Sequence, residues 1–420
     1  MRRTLDELRK SLDETYERIL KKIKKPNKRL TQRVLQCLVV AVRPLRVEEL
    51  VEVLAVDFDD AEGIPMLKPY WRWEEQELAL LSACSSLIAI VEAGDSRVVQ
   101  FSHLSVKEFL TSPRLATASR EVPNYYIDLE PAHTILAQAC LNVLLQIQDS
   151  VDKRTHKAHP ARYAAEHWTT HAQFGEVSSR LHRGMEYLFD ANKPHFKVWL
   201  MLCDIDTRPD YDSTFGILRI NDKSSAAPLY YAALCGFYDL VAHLITKNPQ
   251  DVNADGGYYV RPIVAALAGE HFQTADLLHH SGADLRVWAN DYTNPLLAAI
   301  FSGNLEVVRK LIEYNRADIN VGDVYEWTPL HLASMGHNFK DDSVLLCLLE
   351  HGADINARNQ DGSTPLLVAS FHGALEVVRR LLERGADVEA RRNDGKTALQ
   401  LAVENGDDNV VELLREHGAK

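Results

Sequence analysis

Several groups of residues are of types that could do chemistry, and their spacing decides what each can do. Gly395-Lys396-Thr397 repeats the tripeptide that ends the phosphate loop of nucleotide hydrolases. That loop needs another glycine five positions earlier, so that backbone N–H groups can turn in around a phosphate. Ala390 stands there, preceded by a polar turn instead of a strand, so the tripeptide reads as a turn. His167 and His171 lie at i and i+4 of "HWTTH", the spacing of a zinc-binding helix. Trp168 occupies the place of the catalytic glutamate and no third ligand is indicated, so the stretch reads as an aromatic packing helix with no metal.

The cysteines Cys37, Cys84, Cys140, Cys203, Cys235 and Cys347 are never closer than 32 residues, which excludes a C-x-x-C metal or redox pair. They read as reduced, mostly buried thiols, and the expected compartment is the cytoplasm. No G-x-S-x-G elbow appears, and the carboxylate pairs Asp59-Asp60 and Asp341-Asp342 fall in expected loops. No catalytic residue, cofactor or metal is expected, and the chain is not expected to be an enzyme.

The elements that carry these residues follow from the whole chain. Its 420 residues favour more than one domain, and 46% hydrophobic with 25% charged residues is ordinary for a folded protein. A net charge of −12 argues against nucleic acid as the default partner. No apolar run reaches the roughly 18 residues that span a bilayer, so no membrane partner is expected.

The second half repeats itself. Segments beginning at Ala227, Arg261, Asn294, Thr328, Thr364 and Thr397 lie 34, 33, 34, 36 and 33 residues apart. Proline at the first helical position costs no hydrogen bond, and the threonine before it can cap the helix. Small residues such as Ala333 and Ala369 allow two short helices to pack closely. The glycine of "GAD", at Gly282, Gly352 and Gly385, ends each second helix. Thr328-Pro329-Leu330-His331-Leu332-Ala333 resembles the ankyrin signature T-P-L-H-x-A throughout. The resemblance implies about six stacked helix pairs with a hairpin-like finger before each. Gly395 then belongs to a finger tip, as Gly362 does, and Lys396 is a finger side chain. Tyr259, Tyr292 and Glu326 replace that glycine in three other copies, where another type of turn is expected.

In the first half, Leu5, Leu8, Leu12, Tyr16, Ile19 and Ile23 form a helical stripe. Two helices split by Pro44, a third helix, and two strands around Gly94-Asp95 follow, in the order of a winged helix. The third helix carries Glu74, Glu75 and Glu77 with no Lys or Arg before Leu87, which argues against DNA binding. Residues 192–206 read as a degenerate half-repeat sealing the array. The series "TLDETYERIL", winged helix, "FSHLSVKEFL", "YAAEHWTTHAQF" resembles the fungal signal-transducing NTPases with numerous domains, NACHT-type relatives of NOD-like receptors. In that family a nucleotide-binding module precedes the winged helix. The resemblance implies the downstream part of such a protein, with His103 as a candidate nucleotide-sensing residue.

The expected fold is mainly α: an N-terminal helix over 1–27, a winged-helix domain with a small β-hairpin over 28–115, and a helical linker domain over 116–206. An extended connection over 207–226 leads to the ankyrin solenoid over 227–420. The expected function is regulatory and non-catalytic, with the array binding a protein partner. The alternative is an autoinhibitory region that docks on a nucleotide-binding module absent from this chain. The finger positions Tyr258, Tyr259, Trp288, Tyr292, Tyr325 and Trp327 are the candidate partner-binding residues, because Tyr and Trp give large contact area at low entropic cost.

Overall fold

The computed structural model describes residues 2–57, 66–67, 76–94, 96–117, 122–147, 161–203, 205, 226–257, 259, 261–284, 295–302, 305–314, 319–336 and 342–420. The chain divides into two compact units, Met1–Thr207 and Arg208–Lys420.

The first unit opens with α1 (Arg2–Lys21), whose Tyr16 and Leu20 are buried, as is Ile23 beyond its end. Helix α2 (Lys28–Val40) buries most of its last three turns and stops before Pro44, which cannot continue it. Strand β1 (Leu45–Arg46) leads directly into α3 (Val47–Leu54). Strand β2 (Val56–Asp57) pairs with β3 (Met66–Leu67), and α4 (Gln76–Cys84) precedes the antiparallel strands β4 (Ile88–Ala93) and β5 (Ser96–Phe101). Ala93 faces Ser96 across Gly94, whose φ of +60° suits a residue without Cβ. The expected hairpin is therefore the wing, but β1 adds a third strand on it, Leu45 opposite Val99 and Arg46 opposite Val98. Two residues are too few to show a period-2 pattern, which is why the strand escaped the sequence.

Helices α5 (Leu104–Leu110) and α6 (Pro113–Ala116) close this part. The remainder is α7 (Leu129–Leu145), α8 (Arg162–Ala172), α9 (Val177–Arg180), α10 (His182–Leu188) and α11 (His195–Leu202). Helix α7 is apolar on nearly every side because α2, α3, α8 and α10 all pack on it. Trp168 is fully buried against Trp199, with ring centroids 5.3 Å apart, and Phe189 lies 5.5 Å from Trp199. The rings of the segment read as a half-repeat are thus spent on the core of the first unit.

The second unit is a stack of helix pairs: α12 (Pro228–Leu234) with α13 (Tyr238–Lys247), α14 (Pro262–Ala268) with α15 (Phe272–His280), and α16 (Pro295–Ser302) with α17 (Leu305–Tyr314). Then come α18 (Pro329–Ala333) with α19 (Ser343–Glu350), α20 (Pro365–Phe371) with α21 (Leu375–Glu383), and α22 (Ala398–Asn405) with α23 (Asp408–Glu416). First helices pack on first helices and second on second, so each pair buries its apolar face only against its neighbours. Thr328, Thr364 and Thr397 accept from the backbone N–H three residues on and cap their helices. Gly282, Gly352 and Gly385 take φ near +90° after the second helices. An asparagine ladder joins successive pairs. Asn253 Nδ2 donates to Gly282 O and its Oδ1 accepts from Asp284 N; Asn320 does the same with Gly352 and Asp354. Asn356 Oδ1 accepts from Asp387 N.

Among the described residues, no helix is long and apolar enough to cross a membrane. The six cysteines are free thiols. Burial pushes the Cys37 and Cys84 thiols up to about 12, which keeps them protonated and unreactive at neutral pH.

Candidate functional site

The fingers begin with the tripeptide that resembled a phosphate loop. Gly395 turns at φ +85° and its N–H donates to Arg392 O. Lys396 Nζ is 2.6 Å from Glu404 Oε2, and Thr397 caps α22. All three residues are used in building one finger and starting its helix.

The finger at Asp323–Trp327 has the same fold without the glycine. Asp323 N–H donates to Trp327 O at 3.0 Å, and Glu326 N–H donates to Asp323 O at 2.8 Å. Asp323 Oδ1 accepts from Tyr325 N at 2.9 Å and from Trp327 N at 2.8 Å. In the following finger, Asn359 makes the equivalent bonds to Ser363, and Gly362 N–H donates to Asn359 O. Glu326 stands at φ +61° where Gly362 stands at +73°. The expectation of a different turn type is therefore corrected at Glu326. A left-handed residue with a Cβ costs about 1–2 kcal/mol, and four hydrogen bonds to Asp323 hold it there. In the second copy the left-handed residue is Gly257, at φ +72°, and not Tyr259. Tyr259 N–H donates to Tyr230 Oη at 3.0 Å.

Fingers also pair edge to edge. Gln360 N–H donates to Tyr325 O at 3.0 Å, and Gln360 Nε2 donates to Val324 O at 2.6 Å. Asn393 N–H donates to Asp361 O, and Asn393 Nδ2 donates to Gln360 O. The tip backbone is thereby fixed while Tyr325 stays 51% exposed. Trp327 is half-buried, with its ring 5.8 Å from that of His331. His331 is buried; its Nδ1 accepts from Thr328 N, so its Nε2–H donates to Ser363 O of the next finger at 2.9 Å. Burial holds this imidazole below its ordinary pKa, in the neutral form that such bonding needs. Of the six candidate residues, Tyr259, Tyr325 and Trp327 are described, whereas Tyr258, Trp288 and Tyr292 lie outside the described residues.

His103 is the exposed N-cap of α5: its Nδ1 accepts from Ser105 N at 3.2 Å and lies 2.6 Å from Ser105 Oγ. Ser105 Oγ is in turn 2.7 Å from Tyr16 Oη of α1. On α8, His171 does not point toward a shared ligand site with His167. Its two nitrogens face Tyr163 Oη and His133 Nδ1, each at 2.9 Å. Neither the Tyr163–His171–His133 contact nor the support that Asp323 gives its finger could be read from spacing alone.

Two families match this chain. Residues 263–358 and 337–420 match "Ankyrin repeats (3 copies)", and residues 16–119 match "GPI inositol-deacylase, winged helix domain". The chain therefore carries ankyrin repeats and a winged-helix domain. Ankyrin repeats make an interaction module without chemistry of their own, and the deacylase in the second family's name does not make this chain an enzyme.

Among individual proteins, the azaphilone pigments biosynthesis cluster protein L of Monascus ruber is 31% identical over 302 residues, 67% of this chain and 61% of that protein. A putative ankyrin repeat protein of Fowlpox virus is 28% identical over 154 residues, 36% of this chain and 77% of its own length. Protein phosphatase 1 regulatory subunit 27 of Homo sapiens is 43% identical over 67 residues, 16% of this chain and 41% of that protein. The chain thus spans just over three fifths of the Monascus protein's length.

Proposed function

We propose that this chain is a non-catalytic recognition and regulatory region whose finger face binds a protein partner. The observation that carries the reading is the Asp323–Trp327 finger. Its backbone is held by hydrogen bonds within the finger and to Gln360, yet Tyr325 keeps half of its surface exposed. A rigid aromatic side chain loses little entropy on binding, which makes it a good anchor. Tyr259, Trp327, Tyr258, Trp288 and Tyr292 extend the same face in this proposal. The Monascus relative favours a fungal setting and the phosphatase regulatory subunit a regulatory one; the compartment in this proposal is the cytoplasm. In the alternative reading the array docks on a nucleotide-binding module and holds it off, and His103 of the winged helix is the candidate nucleotide-sensing residue.

The test measures stability and binding on the same variants. A partner is first isolated with the wild-type chain, and its affinity for Tyr325→Ala and Trp327→Ala is then measured. Loss of about 2 kcal/mol or more of binding, roughly thirtyfold, at an unchanged melting temperature is expected for Tyr325→Ala. A lower melting temperature with unchanged affinity would assign the rings to finger stability and remove the proposed surface.

A further inference from the structure

Within the first unit, a chain of polar contacts runs from the winged helix into the helices behind it. It begins at the turn after α2, where Val42 N–H donates to Tyr163 Oη at 3.2 Å. Tyr163 Oη is 2.9 Å from His171 Nε2, and His171 Nδ1 is 2.9 Å from His133 Nδ1. Tyr163 and His171 are buried, while His133 is half-buried and stacked on Phe174 with centroids 4.0 Å apart.

One proton arrangement gives each of these three contacts one donor and one acceptor. Tyr163 Oη already accepts from Val42, so its O–H donates to His171 Nε2. His171 is then the Nδ1–H tautomer and donates to His133 Nδ1, leaving the His133 proton on Nε2. Neither imidazole can take a second proton without losing a bond. A proton on His133 Nδ1 would set two N–H groups head to head. A proton on His171 Nε2 would turn the Tyr163 hydroxyl hydrogen away with no acceptor among the described residues.

The surroundings do not favour the added charge. Arg43 lies over the Tyr163 ring at 5.0 Å, and Lys107 on α5 acts on His133. Glu49 on α3 is taken by Arg43 in a bidentate pair, both bonds 2.8 Å. Glu166 on α8 pairs with Arg162 and lies 3.7 Å from both Arg43 and His167. Cys140 on α7 and Cys37 on α2 are buried neutral thiols. Burial likewise lowers the pKa of His167, on the same helix as His171.

We propose that His133, His171 and Tyr163 form an acid-sensitive latch, which ties α7 and α8 to the Val42–Arg43 turn of the winged helix and releases that turn on acidification. Burial holds His171 down to about 3 and lowers His133 as well, whereas both would take protons near 6.5 in the open form. The open form therefore binds more protons below that value. The latch is closed at neutral pH and loses up to tenfold in its closing equilibrium for each pH unit and each proton taken up.

The experiment uses the full chain. His133→Asn keeps an acceptor oxygen where Nδ1 lies but cannot be protonated. Hydrogen exchange of the Val42 amide, corrected for intrinsic rate, is followed from pH 7.5 to 5.5. The wild type is expected to lose protection by tenfold or more, and His133→Asn to lose markedly less. Equal losses in the two proteins would overturn the latch. Long-range 15N NMR of the wild type is an independent check that needs no variant. At pH 7.5 it should show His171 protonated on Nδ1, and an Nε2–H tautomer or a fully solvated titration near 6.5 would also overturn it.

Discussion

In residues 2–203 two polar contacts stand out, one for its reach along the sequence and one for the buried charge it holds. Val42 reaches Tyr163 across 121 residues of sequence, and Arg43 grips a glutamate that is 2% exposed. In residues 226–420 the contacts between neighbouring repeats recur along the stack and span about one repeat, as Asn320 to Asp354 and Gln360 to Tyr325 do. The first arrangement concentrates its stability in a few groups whose loss exposes others to desolvation. The second spreads it over many equivalent bonds, so one irregular unit is carried by its neighbours. Glu326 is such a unit, left-handed and held beside the regular finger that carries Gly362.

The sharpest way to break this contrast is Arg43→Ala. It would leave the Glu49 carboxylate buried with the Arg46 N–H as its remaining donor among the described residues, and remove the cation over Tyr163. A loss of about 3–5 kcal/mol in the first unit is expected from stranding a buried charge. Chemical denaturation measures it, and a loss below about 1 kcal/mol would show that Glu49 is supported without Arg43.

A smaller effect is expected in the array. Ala333 and Ala369 are buried between paired helices. Ala369→Leu or Ala333→Leu should overpack that contact and cost roughly 1–3 kcal/mol. Unchanged denaturation midpoints in both variants would contradict the packing described here.

The smallest effect has the opposite sign. Glu326→Gly should relieve the left-handed strain but make the unfolded chain more flexible, for a net gain of up to about 1 kcal/mol. A destabilised variant would mean that the Glu326 side chain contributes more than its backbone costs.

These cases also mark what could be read from the letters. The repeat register was legible because Thr364, Pro365, Gly362 and Gly385 each meet a local requirement of a cap, a first helical turn, a finger tip or a helix end. The winged-helix order was legible from helix periods and the Gly94 turn. Strand β1 was not, because its pairing with β5 spans half a hundred residues and involves two of its own. The left-handed Glu326 was not, because its cause is the Asp323 carboxylate and not its own preference. The His133–His171 contact joins positions 38 residues apart on different helices, and no local spacing announces it.

The asparagine ladder has a mechanical consequence. Asn253, Asn320 and Asn356 each fasten one unit to the next, with no bond that skips a unit among them. Tension applied along the stack is then borne in series, each junction carrying the full load. Such an object yields at its weakest junction first and lengthens in steps, one unit at a time, while the rest keeps its form.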